Sequence, residues 1–418
     1  AHINTSQHFY CSCGVLFIQF KIRSKMKNIT YIILPFLILA IKVNGQTSID
    51  SVLADIARNN KTIIANTKYW EAKTLEYQTG LTPYNPKVNY DYLIGTPSNA
   101  GNQTEFAITQ TFDFPTVYAR KKQLSNEQIK QAEFQLNANR QEILLEAKLI
   151  CLELIYRNKL NSELTIRKQN TEKWLTAFQT SLEKGQGNIM DVNKAKLQLI
   201  EINAAFQENL SISNQLNQKL TELNGGIPME FSDTAFASFA LIPEFETLEQ
   251  EIEAKDPVRK YLEQEKVIGQ NEVNLSKSLT LPKFDAGYRY QTILGQQFNG
   301  VHLGLTIPLW ENKNTVKTQQ AELILNEANL QDHINEHYYD IKQKYERMTN
   351  LKITLDEYQT LFSSLNNVEL LDKSLSLGQI STIEYFMEMT YYYEALKNYL
   401  KTEMEYNKVV AELYKYQL

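Results

Sequence analysis

A chain of 418 residues with 48 acidic and 43 basic side chains carries a formal net charge of −5, and its basic residues gather into no patch of the kind that nucleic acid requires. Three cysteines exclude a disulfide-rich scaffold. With 15 Gly and 10 Pro, the composition favours helices with large solvated faces over a compact globule.

The N-terminal region reads as a leader. Met26-Lys27 opens a basic stretch, Ile29 to Ile41 is an apolar run of signal-peptide length, and Val43 and Gly45 suit the small-residue positions before a cut, so residues 26–45 are expected to be a signal peptide and the mature chain to start at Gln46. Residues 1–25 are expected to be upstream sequence outside the folded protein. The competing reading is a true extension with an uncleaved anchor, for which the apolar run is short. Removing 1–45 takes Lys21, Arg23, Lys25, Lys27 and Lys42 and no acid, leaving 43 − 5 = 38 basic against 48 acidic side chains. Cys11 and Cys13 leave with it. Cys151 then stands alone on a helix, which excludes an intramolecular disulfide and a thiol metal cluster.

From Gln46 onward the chain repeats itself. Asn60 matches Asp256 and Pro86 matches Pro282 at an offset of 196, while Pro115 matches Pro308 and Gly185 matches Gly378 at 193. The three-residue change falls between paired strand segments, where a hairpin loop varies. A first repeat therefore covers 46–223 and a second 247–418, joined by a Gly-, Pro- and aromatic-rich linker over 224–246.

Each repeat opens with a helix, expected from Ile49 to Thr79 and from Pro257 to Ser278. Two alternating segments follow, in hairpins over 86–115 and 282–308. Val88, Tyr90, Tyr92 and Ile94 share one face, as do Phe106, Ile108, Phe112 and Phe114; the second hairpin gives Phe284, Ala286, Tyr288 and Tyr290, then Val301, Leu303, Leu305, Ile307 and Leu309. Asn89, Asp91, Thr109, Asp113, Asp285, Arg289, His302 and Thr306 occupy the other faces. Period-two alternation suits a membrane strand, apolar toward lipid and polar toward a lumen, and equally a soluble hairpin with one buried face.

The helices separate these readings. Neither Gly nor Pro occurs from Thr116 to Lys184, nor from Leu309 to Leu377, and at ~1.5 Å per residue each run reaches roughly 100 Å. Ile129, Leu136, Ile143 and Ile150 recur every seven residues, with Ala132, Ala147 and Leu154 in a second seam, which specifies supercoiled partners. After each glycine the helix restarts, from Asn188 and from Ser381. Two long helical hairpins are thus each attached to a β-hairpin. Four strands with two raw edges cannot face lipid unless copies close a barrel. Two copies give eight strands and a filled interior; three give twelve and a passage.

The two turns share the pattern G-x5-[DE], as Gly185…Asp191 and Gly378…Glu384. With the duplicated halves and paired strands, this arrangement resembles the TolC family of outer-membrane channel proteins over essentially all of 46–418. The implied fold is mainly α with membrane β: long α-helical hairpins forming a periplasmic tunnel, and four strands per chain contributing to a trimeric 12-stranded β-barrel. The resemblance implies a homotrimer in outer-membrane lipid, acting as a passive exit duct for small solutes or metal ions, with a periplasmic adaptor (membrane fusion protein) and an inner-membrane pump as partners. It implies no cofactor, no catalysis and no nucleic acid. Gln110 to Leu124 further resembles the heavy-metal efflux branch, which works with resistance-nodulation-division (RND) pumps. By the same resemblance, 224–246 forms an equatorial belt. The alternative is an exported coiled-coil scaffold without channel activity.

At the tips, Ser381 with Glu384 fits a capping box and Asn188 with Asp191 a looser one. The same acids would form rings of like charge at a periplasmic constriction, with Glu388 one turn further on. Gly185, Gln186, Gly187, Asn188, Gly378, Gln379 and Ser381 are the candidate turn and adaptor contacts. The family's gating arginine falls at Ile380 here, so its salt-bridge latch is not carried over. "HINEH" matches the H-x-x-E-H zinc-peptidase pattern at His333, Glu336 and His337. On a long exposed helix without an indicated third ligand it reads as a solvated face, leaving His333 and His337 as a weak metal candidate.

Overall fold

The computed structural model describes residues 48–237, 242–364 and 367–418. The expected leader and upstream extension lie outside the described residues, as do positions 238–241 of the linker.

The opening helix of each repeat is broken once. α1 (Ile49–Asn59) ends at Asn60, which also starts α2 (Lys61–Tyr77). In the second repeat α5 (Phe245–Lys255) ends at Asp256, which starts α6 (Pro257–Ser278). The single helix expected over Ile49–Thr79 is thereby corrected to two, and the linker expected to run to 246 ends earlier, because α5 begins at Phe245. The breaks come from side-chain caps. Asn60 Oδ1 accepts the Ile63 amide at 2.9 Å, while the Asp256 carboxylate accepts the amides of Val258 and Arg259 at 3.0 and 2.9 Å.

Strands β1 (Lys87–Leu93), β2 (Gln103–Phe112), β3 (Lys283–Ile293) and β4 (Gln296–Thr306) form one antiparallel sheet in sequence order. The β3–β4 connection is a two-residue turn at Leu294 and Gly295, both with positive φ, the geometry that matches strand twist in a tight hairpin. The β1–β2 connection covers nine residues, 94–102, so the change of repeat offset falls in this loop. Ile94, Phe114, Ile307 and Leu309, expected in strands, lie just beyond the strand ends.

The rest is helix: α3 (Pro115–Glu183), α4 (Ile189–Leu223), α7 (Thr315–Ser364), α8 (Asn367–Ser376) and α9 (Thr382–Leu413). α3 has 69 residues, about 100 Å at ~1.5 Å each, with Pro115 in the first turn where its missing N–H costs nothing. The counterpart in the second repeat starts only at Thr315, as α7, and α8 follows it from Asn367. Each repeat buries its short helix against its long ones. Val52 and Ile56 of α1 pack with Leu144, Leu154, Ile155 and Leu220; Leu248 and Ile252 of α5 pack with Ile341, Met348, Val410 and Leu413. Cys151 sits inside the first cluster, where burial pushes its thiol up to about 12 and leaves it unreactive. Of the two seams read from α3, Ala132, Ala147 and Leu154 are buried, whereas Ile129, Leu136, Ile143 and Ile150 are half-buried.

Candidate functional site

Two features stand out: the helical tips and the outer face of the sheet. At the first tip Gly185 adopts φ 71°, its amide reaches Leu182 O at 3.0 Å, and the Gln186 amide reaches Ser181 O at 2.9 Å. At the second, Gly378 adopts φ 70°, with the same bonds to Leu375 O at 3.0 Å and from Gln379 to Ser374 O at 2.9 Å. Both are Schellman closures, which need a residue tolerant of left-handed backbone.

The restarts differ. Ser381 Oγ accepts the Glu384 amide at 3.2 Å, and Glu384 Oε2 accepts the Ser381 amide at 2.8 Å, a complete capping box. That backbone bond holds the Glu384 carboxyl below the usual carboxylate range. Asn188 Oδ1 accepts the Met190 amide at 2.9 Å, but the Asp191 carboxylate forms no reciprocal bond among the described residues. The looser box expected at Asn188 and Asp191 is therefore only half made.

The two tips meet around a cleft of about 790 Å³ lined by Gln186, Gly187, Asn188, Asp191, Gly378 and Ser381 together with Ile380 and aromatic residues of α3. Gly185, Gln379, Glu384 and the exposed Glu388 lie outside its lining. Behind it is a polar tie that spacing along the chain does not reveal. Asp372 Oδ1 of α8 accepts both Trp174 Nε1 (3.1 Å) and the Tyr385 hydroxyl (2.7 Å), and Trp174 Nε1 also lies 3.0 Å from the Tyr385 oxygen. Burial, and then the bond to Asp372, push the Tyr385 hydroxyl pKa far up.

On the sheet, the register sets Val88 opposite Ile108 and Tyr90 opposite Phe106, then Ile108 opposite Tyr288, and Tyr288 opposite Val301. The apolar residues of all four strands therefore share one face. That face is open: Val301 is 80% exposed and Leu303 78%. The other face carries Asn89, Arg289, Thr109 and His302 in the intervening register, with Thr111 Oγ1 donating to Asp285 at 2.5 Å. Asp113, just past β2, is buried and paired with Lys121 at 3.1 Å. No helix among the described residues is long and apolar enough to cross a membrane.

The sequence matches no protein-family model and no curated protein. Solved structures do match. A membrane protein from Pseudomonas aeruginosa aligns over 88% of this chain and 89% of its own at TM-score 0.72 and 12% identity. CusC, whose structures describe transmembrane channel formation, aligns over 89% and 92% at TM-score 0.68 and 12% identity. The Campylobacter jejuni CmeC outer membrane channel aligns over 88% and 84% at TM-score 0.62 and 14% identity.

The chain has the TolC-like channel fold.

The resemblance read from the duplicated hairpins is borne out at the level of the fold. Within the TolC-like fold, "HINEH" departs from its expected setting. His333 and His337 are only 21% and 22% exposed, and the α5–α6 junction brings carboxylates to them, correcting the solvated face without a third ligand. His333 Nε2 lies 3.0 Å from Asp256 Oδ2, and His337 Nδ1 2.6 Å from Glu253 Oε1. The hydrogen bond to Asp256 raises the pKa of His333. Burial pushes the Asp256 carboxyl up, but the bonds from His333 and from the Arg259 and Val258 amides outweigh it and hold it low. The carboxylates lie 77 and 84 residues away in the chain, and the one signal for them was the match of Asp256 to Asn60.

Proposed function

We propose that three copies of this chain close their sheets into a twelve-stranded barrel in the outer membrane, above a periplasmic helical tunnel, as the exit duct of an efflux system. The observation that carries this reading is the exposed apolar face running across all four strands of a sheet with two open edges, β1 and β4. In water that face opposes folding, whereas in lipid it is the stable outer surface of a barrel. β3 and β4 have 11 residues each, the length of about 9–11 that a tilted membrane strand needs. Open edges do not survive in lipid, so β4 of one copy pairs with β1 of the next.

The duct is passive. A periplasmic adaptor docks at Gly185, Gln186, Gly187, Asn188, Gly378, Gln379 and Ser381, and an inner-membrane pump of the RND type supplies energy and most of the selectivity. Small solutes or metal ions are the cargo. The test is single-channel conductance of the detergent-extracted, crosslinked chain in planar bilayers. A trimer with stepwise conductance is the expected result; a water-soluble, non-conducting assembly identifies the coiled-coil scaffold instead.

The tip geometry separates the candidate gate residues. Asp191 lines the cleft with an uncommitted carboxylate, so three copies supply a ring of three charges. Glu384 holds its own helix start, and exposed Glu388 stands one turn beyond. Asp191→Asn is expected to lower the cation-to-anion permeability ratio several-fold at low salt, where charge is least screened, while Glu384→Gln changes it less and frays the start of α9. Reversal potentials in a salt gradient measure this, and equal ratios for wild type and Asp191→Asn remove Asp191 from the gate.

A further inference from the structure

We propose that His333, His337 and Asp256 bind a divalent first-row transition-metal ion, with Glu253 adjoining. One ligand atom from each of the three residues lies within 4.8 Å of the others. His333 Nε2 and His337 Nδ1 stand 3.0 and 3.9 Å from Asp256 Oδ2, and ligand atoms around tetrahedral Zn²⁺ are roughly 3.3 Å apart. Side-chain rotation that draws separations of at most 4.8 Å in to that spacing closes the site.

The ligands are already gathered by contacts of their own. The histidines are one turn apart on α7, with rings nearly parallel (15°) and centroids 5.3 Å apart. Asp256 is fixed by the two amides it caps, and Oδ2 keeps a lone pair directed at His333. Glu253 is held by Arg259 at 2.5 Å, which places Oε1 beside His337 as a fourth ligand or as the acceptor for a metal-bound water. Two imidazoles and carboxylates suit Zn²⁺, Co²⁺ and Ni²⁺; without thiolate or thioether the set does not favour Cu(I). A cavity of about 240 Å³ opens on the histidines. Its lysines are already paired, Lys344 with Asp340 and Lys415 with Glu142, so they do not oppose a cation.

The repeat supplies the internal comparison. At the same offsets, Glu253, Asp256, His333 and His337 correspond to Ala57, Asn60, Arg140 and Leu144. Asn60 makes the same helix break, and Leu144 belongs to the apolar core. The architecture is therefore built once without the histidines and Glu253, so the shared helix break explains a capping side chain at Asp256 but not the two imidazoles and second carboxylate gathered around it.

Zn²⁺ titrated into the full chain, purified in detergent and stripped with EDTA, tests the proposal. One saturable high-affinity site per chain is expected, and Co²⁺ should give visible d–d absorption of the intense tetrahedral or five-coordinate type. His333→Gln with His337→Gln should weaken binding at least tenfold and abolish the Co²⁺ band. Asp256→Asn, which keeps a capping side chain, should also weaken it tenfold, with unchanged circular dichroism in every variant. His302→Gln, on the sheet, serves as the control and should bind as wild type. Absence of saturable uptake, or uptake in the double histidine variant within a few-fold of wild type, overturns the proposal.

Discussion

Leu303→Arg combined with Ile108→Arg is expected to abolish stable insertion of the chain into lipid vesicles, whereas His302→Arg leaves insertion intact. Leu303 lies near the middle of β4 and is 78% exposed; Ile108 lies on β2, on the same sheet face. If that face meets hydrocarbon, each arginine near the midplane costs about 2–4 kcal/mol. The two sites are on non-adjacent strands, and costs at separated sites add. The sum is a large share of the roughly 5–15 kcal/mol by which most folded proteins are stable. If the face instead meets water, the prediction inverts. Substitution of an exposed residue then shifts stability by only about ±0.5 kcal/mol, and replacing leucine by arginine improves solubility. His302 has the opposite register and projects from the polar face, so its arginine stays in an aqueous lumen. The measurement is the fraction of chain resistant to carbonate extraction from vesicles, with urea unfolding in the same vesicles. Equal retention of the double variant and wild type would falsify the membrane assignment of the sheet.

The sheet was readable because its constraint is local. Alternation along each strand already separates apolar from polar residues, and antiparallel pairing only has to bring like faces together, as Val88, Ile108, Tyr288 and Val301 do. The glycine-closed tips were equally readable, since a left-handed cap is a property of a few neighbouring residues. The seam of α3 was less so. α3 packs on α2 and α6 over part of its length and on α4 and α9 over others, so no single heptad phase stays inside. Small residues such as Ala132 and Ala147 take the close contacts while Ile129 and Ile150 flank them. The break at Asn60 was hidden for another reason. Asn and Asp are poor helix formers but not breakers, and what ends α1 is a side-chain bond visible only in three dimensions. The setting of His333 and His337 was illegible because its acids come from another helix junction. Their partnership depends on tertiary packing alone.

The tie behind the tips, equally invisible along the chain, yields the second large effect. Asp372→Ala is expected to speed amide hydrogen exchange in α8 and the first turns of α9 by about 10- to 100-fold. α8 has no buried residue of its own, so its hold on α3 and α9 leans on the Asp372 carboxylate and the apolar cluster around Tyr385 and Trp174. Removing the carboxylate does not orphan both donors equally. Trp174 Nε1 still has the Tyr385 oxygen at 3.0 Å, but the Tyr385 hydroxyl hydrogen, in a side chain only 2% exposed, loses its acceptor. Bonds to a charged group contribute about 1.5–3 kcal/mol, which sets the expected range of exchange rates. Tyr385→Phe removes the hydroxyl donor and leaves Trp174 on Asp372, so its effect should be smaller, near fivefold for about 1 kcal/mol. Asp372→Asn keeps an oxygen acceptor and should fall between them. Exchange measured on the intact assembly separates this tie from global stability, because α1 and the core around Leu154 lie in another cluster and should keep wild-type protection. Were Asp372→Ala to exchange like wild type at Tyr385 to Tyr393, the apolar cluster alone would hold the tip. In the proposed duct, a graded loss across the three variants makes Asp372 the residue that sets how easily the second hairpin tip moves away from the first.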